Sequence, residues 1–116
     1  MVDYAKYMME WLRVMERFAE AEELKTDEEK VYVSMSDTLA SVGLFLGAKV
    51  YRDENGFFLL VNELKKLKKY DEIKELVENQ KEINKLSLRA YKDDLKRVDE
   101  FKREMKEKKE KRRMRK

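Results

Sequence analysis

No proline occurs anywhere in the 116 residues, and only three glycines do. Proline ordinarily supplies about one residue in twenty and marks where helices stop and loops turn. A chain without it, and nearly without glycine, has few points at which regular structure must end. The expectation is a mainly α fold of long helices with few, short connections.

Hydrophobic spacing places these helices. Tyr4, Tyr7, Met8, Trp11, Leu12, Met15, Phe18 and Ala19 recur at intervals of three and four. They predict a first helix from Asp3 to Leu24, with Asp3 as its N-cap and the apolar stripe packed in the core. Thr26-Asp27-Glu28-Glu29 reads as a capping box that opens a second helix. Val31, Tyr32, Met35, Leu39, Val42 and Phe45 would share one face of it. Gly43 and Gly47 both offer stops, Gly47 just past the end being preferred. The alternative is one continuous helix from Asp3 to about Gly43. Lys49–Arg52 and Phe57–Val61 then flank Asp53-Glu54-Asn55-Gly56. Asn-Gly can take the positive φ angles of tight turns, and aromatic and β-branched residues lie on both sides, so a β-hairpin is expected. A lone two-stranded hairpin is marginal in water, and this one must pack on the helices or on another chain.

From Asn62 to Met114 no turn chemistry is visible. Leu64, Leu67, Tyr70, Ile73, Leu76, Val77, Ile83, Leu86, Tyr91, Leu95, Val98, Phe101 and Met105 keep a helical period. The expected fold is two N-terminal helices, one β-hairpin and one long C-terminal helix, continuous or broken near Asn79–Lys85. Unbroken, such a helix would be about 75 Å long, more than a domain of this size can cover. The stripe from Tyr91 to Met105 has no evident cover within the chain, which points to a coiled-coil homodimer. Asp93–Arg97, Asp99–Arg103, Glu104–Lys108 and Glu107–Lys111 are acid-first i,i+4 pairs, each worth about 0.2–0.5 kcal/mol on an exposed helix. The domain reading is a helical domain with a hairpin over 1–61, a long amphipathic dimerisation helix over 62–105, and a basic tail over 106–116.

Composition removes most catalytic chemistry. Without Cys and His there is no thiolate nucleophile, no imidazole base and no ordinary zinc site. Asp93 and Asp94 are the nearest carboxylates on a helix, but neighbours there diverge by about 100° and read as solvated face. Asp53-Glu54-Asn55-Gly56 lacks the remaining ligand positions of a calcium loop. No phosphate-binding glycine loop and no nucleophile elbow occur. The expectation is no enzyme, no cofactor and no metal site. The longest apolar run, Phe57–Val61, is far below the roughly twenty residues that span a bilayer. Residues 1–10, with Asp3, Lys6 and Glu10, lack the apolar stretch of a leader, so the expected location is the cytoplasm.

Charge is what remains. The net value of +3 hides a gradient: residues 1–60 carry 7 positive and 12 negative groups, residues 61–116 carry 21 and 13. Lys65, Lys66, Lys68 and Lys69 cluster after the hairpin. Lys106, Lys108, Lys109, Lys111, Arg112, Arg113, Arg115 and Lys116 end the chain. Such stretches suit phosphates of DNA or RNA, bound through counterion release with little regard to sequence. The same residues would serve a helical scaffold on an anionic membrane or an acidic protein partner. The bland alternative is a solvated end that keeps the protein soluble.

Two family resemblances follow from particular residues. Leu39, Val42, Gly43 and Leu44, then Arg52-Asp53-Glu54-Asn55-Gly56-Phe57-Phe58, resemble the recognition-helix end and the wing of winged-helix DNA-binding regulators of the MerR type. Leu64, Leu67 and Ile73-Lys74-Glu75-Leu76 extend the likeness to the helices that follow. The resemblance implies a dimeric transcriptional regulator. Its reading helix would offer Ser36, Asp37, Thr38 and Ser41, none of them the Arg, Lys, Asn or Gln that reach base edges best. A looser pattern, Thr38–Gly43, then Ile73, Leu76 and Gln80, then Tyr91, Leu95, Val98, Phe101 and Arg103, resembles the BAR region of sorting nexins. That likeness implies a basic helix end on a membrane. Of the two, DNA binding by the lysine cluster and the tail is the function expected.

Overall fold

The longest apolar run of the sequence becomes the middle of a sheet. In a computed structural model describing residues 13–86 and 88–114, with side chains through Lys108, Gly56–Leu60 forms a strand buried at every position. The order of elements is α1 (residues 13–19), β1 (Glu22–Glu23), β2 (Lys30–Tyr32), α2 (Thr38–Phe45), β3 (Val50–Asp53), β4 (Gly56–Leu60), α3 (Val61–Lys65), α4 (Tyr70–Leu86) and α5 (Arg89–Met114). The strands lie in the order β1-β3-β4-β2; β1 runs parallel to β3, and the other neighbours are antiparallel.

Because side chains alternate along a strand, β4 feeds two cores. Phe57 and Leu59 join Val31, Val33 and Val50 on one face, under Phe18, Leu39, Ala40, Val61, Leu64, Ile73, Val77 and Val98 from the five helices. The rings of Phe18 and Phe57 meet at 4.8 Å. Phe58 and Leu60 form the second cluster with Tyr32 and Tyr91. Burying each such phenylalanine contributes about 1.5–3 kcal/mol.

The hairpin is therefore present but not alone. Its tip is Glu54-Asn55, one residue earlier than the expected Asn55-Gly56, with Asp53 facing Gly56 across the ladder. Asp53 Oδ1 accepts from the Asn55 N–H at 2.8 Å, and Gly56 supplies the positive φ, +147°. A Cβ at Gly56 would lie 2.7 Å from that of Tyr91, so α5 passes directly against this glycine.

Both expected N-terminal helices are shortened. Tyr4 to Leu12, Trp11 included, lie outside the described residues. The first helix ends at residue 19, and Glu22–Glu23 is a strand instead of the helix's last turn. The second begins at Thr38, because Val31, Tyr32 and Val33 pair with β4. Their β-branched and aromatic side chains suit a strand buried on both faces. Thr26 does not open a helix; its Oγ1 accepts from the Glu28 N–H at 3.1 Å in a local turn. The expected stop at Gly47 is observed: φ is +107°, Gly47 N–H donates to Leu44 and Ala48 N–H to Gly43. These are the two bonds of a Schellman cap. Phe45 does not join the buried face and is 86% exposed.

Residues 62–105 form parts of three helices rather than one. One break falls at Lys66–Lys69 and the other between Leu86 and Arg89, just beyond the expected Asn79–Lys85 window. Each break turns an apolar face back onto the sheet. In α5, Tyr91 and Val98 are buried and Leu95 and Phe101 half-buried, leaving only Met105 of the stripe exposed. The cover that seemed to require a second chain comes from the protein's own sheet, which removes the argument for a coiled-coil seam there. No helix among the described residues is long and apolar enough to cross a membrane.

Candidate nucleic-acid interface

The lysine cluster after the hairpin is turned outward by the residues between its members. Val61 and Leu64 are buried, and Leu67 and Tyr70 half-buried, at intervals of three. Leu67 N–H bonds to Leu64 and Tyr70 N–H to Leu67, keeping that interval through the link. Lys65, Lys66, Lys68 and Lys69 consequently point away from the core, and no carboxylate lies within ion-pair distance of them among the described residues.

The second basic set lies on α5, whose two halves differ. In the first half, Tyr91, Asp94 and Val98 face inward at intervals of three and four. Asp94 is 3% exposed and accepts from the Met35 N–H at 3.1 Å, so it is a buried anchor and not solvated face. Asp93 beside it is exposed, as their divergence requires. Arg52 of β3 then clamps Asp99 with two bonds, 2.8 and 3.1 Å. This bidentate bond holds the Asp99 carboxyl below the usual carboxylate range. It also takes Asp99 away from its expected partner Arg103, while Arg97 lies 3.9 Å from Asp94 and not on Asp93.

Beyond that clamp the helix changes surroundings. Lys102 to Lys108 are seven consecutive exposed residues, about two turns. A helix exposed over two whole turns has no side resting on the body. Lys106 and Lys108 belong to this length. Lys109, Lys111, Arg112 and Arg113 continue it as helical backbone, and Arg115 and Lys116 lie outside the described residues.

Several polar residues with structural roles were invisible in the sequence pattern. Gln80 is 5% exposed, and its Nε2 lies 2.9 Å from Tyr32 O, 2.7 Å from Tyr91 Oη and 3.1 Å from Asp37 Oδ2. Its two hydrogens are shared among those three acceptors. The available signal was its place in the Ile73–Val77 stripe, one helical step further on. Asp53 is a second hub, taking Tyr32 Oη at 2.6 Å and Lys30 Nζ at 3.2 Å on one oxygen. Burial opposes its charge, but these bonds and the Asn55 N–H outweigh it and hold the carboxyl below its ordinary value. Burial, then the hydrogen bond to Asp53, pushes the Tyr32 hydroxyl up to about 12.

A polar cleft of about 470 Å³ opens between Lys25–Asp27, Lys30 and the hairpin tip Asp53–Asn55. Two lysines there face three carboxylates, and Lys30 is already paired with Asp53, so its charge does not favour an anion. Among the described residues no group of three carboxylates is placed to hold a metal ion. The hairpin tip, tied down by Tyr32, Lys30 and Tyr91, is not a free wing, and between β2 and β3 stands a single eight-residue helix. No protein-family model, curated protein or solved structure matches this chain.

Proposed function

We propose that this protein binds nucleic acid, DNA in particular, as a non-enzymatic regulator-type module that grips phosphates. One observation carries the reading: the exposed stretch Lys102–Lys108 holds four cations and two acids on a helix that leaves the body after the Arg52–Asp99 clamp. An arm of this kind contributes nothing to the core, and its charge sign fits a polyanion. Lys109, Lys111, Arg112, Arg113, Arg115 and Lys116 add to the same charge, and Lys65, Lys66, Lys68 and Lys69 supply a second outward set.

Fluorescence anisotropy on a labelled duplex tests this. Binding should weaken steeply with salt, by roughly 10³–10⁵ between about 50 and 200 mM if six to ten phosphates are engaged. Deleting residues 106–116 should abolish most of it. Cosedimentation with anionic vesicles and no binding to the duplex would refute the proposal in favour of a membrane-surface scaffold.

A further inference from the structure

Building on that nucleic-acid reading, we propose that the free length of α5 engages duplex DNA as a stiff helix laid in the major groove, so that its helicity is required and not only its charge. Three observations lead there. The arm is aimed: Tyr91, Asp94 and Val98 are buried on successive turns, and the Arg52–Asp99 clamp sits one turn before the exposed stretch. A helix held at four points along its first half leaves the body in a fixed direction.

The arm is also cationic on several sides. At about 100° per residue, Lys102 and Lys106 fall together, Arg103 and Lys108 fall to either side of them, and the acids Glu104 and Glu107 share the remaining face. Met105 is the lone apolar residue of the exposed stretch. A helix lying on a bilayer needs an apolar face opposite its basic one, and this stretch has none. A helix in a groove has phosphates on both flanks, which is what a distributed set of cations matches.

Size and composition select the form of nucleic acid. An α-helix with side chains is about 10–12 Å across, and the major groove of B-DNA is about 12 Å wide. The major groove of A-form RNA is deep and too narrow for it. From Lys102 to Met114 the sequence has no aromatic residue, so it offers no platform on which single-stranded bases could stack. It has no Asn or Gln for adenine edges, and its Arg and Lys side chains serve phosphates as well as guanine edges, so the mode expected is weakly selective among sequences.

The experiment compares a DNA duplex, the same strand alone and an RNA duplex of equal length at one salt concentration, for the full chain and for Met105→Pro. Met105 is 41% exposed and outside both cores, so proline there breaks the arm while keeping every charge and the packed body. Met105→Ala serves as the control that keeps the helix. The full chain and the alanine variant should prefer duplex DNA by at least about tenfold, a difference of about 1.4 kcal/mol. The proline variant should lose that preference while binding the single strand as before. Duplex binding unchanged in Met105→Pro would overturn the stiff helix, since a flexible basic tail would then suffice. Equal binding of all three nucleic acids by the full chain would overturn the groove and leave nucleic-acid binding standing. Binding to none of them would overturn the reading beneath it.

Discussion

The side-chain amide of Asn84 takes both outward backbone groups of Tyr32, accepting from its N–H at 2.7 Å and donating to its C=O at 3.0 Å. Tyr32 lies on β2, an outer strand of the sheet, and a neighbouring strand would make the same two bonds. Gln80, one helical turn earlier on α4, reaches the same carbonyl. A helix thus closes a sheet edge that would otherwise be a template for another chain.

Replacing Asn84 by Leu should therefore do two things. It should cost about 1–3 kcal/mol, because the Tyr32 N–H loses its partner while the Tyr32 C=O keeps only Gln80. It should also make the protein associate through the uncovered edge as concentration rises. Urea unfolding measures the first effect and light scattering the second. An Asn84→Leu variant as stable and as monodisperse as the parent would show that the edge is protected by something else.

Gly56→Ala should be destabilising by about 1–3 kcal/mol, from strain at a positive φ. The added methyl also meets α5, 2.7 Å from the Tyr91 Cβ and 3.0 Å from its carbonyl oxygen. Since backbone cannot yield as a flexible side chain does, α5 must shift or the turn must. Thermal unfolding should show the loss. Gly47→Ala, at φ +107° with nothing within 4 Å of the new methyl, should lose less.

Stability should fall at both ends of the pH scale, for reasons of opposite sign. Asp53 and Asp99 are held below their ordinary values in the folded protein. Their contribution is complete above the unfolded carboxylate pKa, about 3.9, and is lost as pH falls through the lower folded values. Tyr32 and Tyr51 are pushed up to about 12, in each case by burial and then by a hydrogen bond to a carboxylate. Their contribution is complete below the unfolded tyrosine value, about 10, and is lost as pH rises toward the folded one. Unfolding midpoints measured across pH should show both declines, and Arg52→Met should flatten the acid one. Tyrosinate absorbance should rise late for three of the six tyrosines, Tyr32, Tyr51 and Tyr91, the last also raised by burial.

Local features of this fold were readable and pairings distant in sequence were not. The Gly47 stop depends on one residue's freedom at positive φ, so it shows in the sequence. Strand β2 does not, because Val31, Tyr32, Met35 and Leu39 satisfy a helical interval as well as a strand, and only pairing with β4 decides between them. Strand β1 consists of two glutamates, poor strand formers held by Tyr51 and Arg52. Asp94 looked like solvated surface because the amide it binds, that of Met35, lies 59 residues away. The same distance effect hid the clamp between Arg52 and Asp99, which divides α5 into a docked half and a free one. The outward lysines were legible because charge placed between apolar positions has one direction to go.

The two basic sets can be separated by salt dependence. Lys65, Lys66, Lys68 and Lys69 stand outside both cores, so changing all four to Gln should leave thermal stability nearly unchanged. Each phosphate that the protein no longer neutralises should reduce the slope of log K against log salt by about 0.9 on B-DNA. If the cluster lies on the same duplex as the arm, the four-fold variant binds more weakly with a shallower slope. Deleting residues 106–116 then lowers the slope by a further, separate amount, since well-separated sites act independently. A four-fold variant with the parent's slope would assign the phosphate binding to α5 alone and leave the lysine cluster as solvated surface.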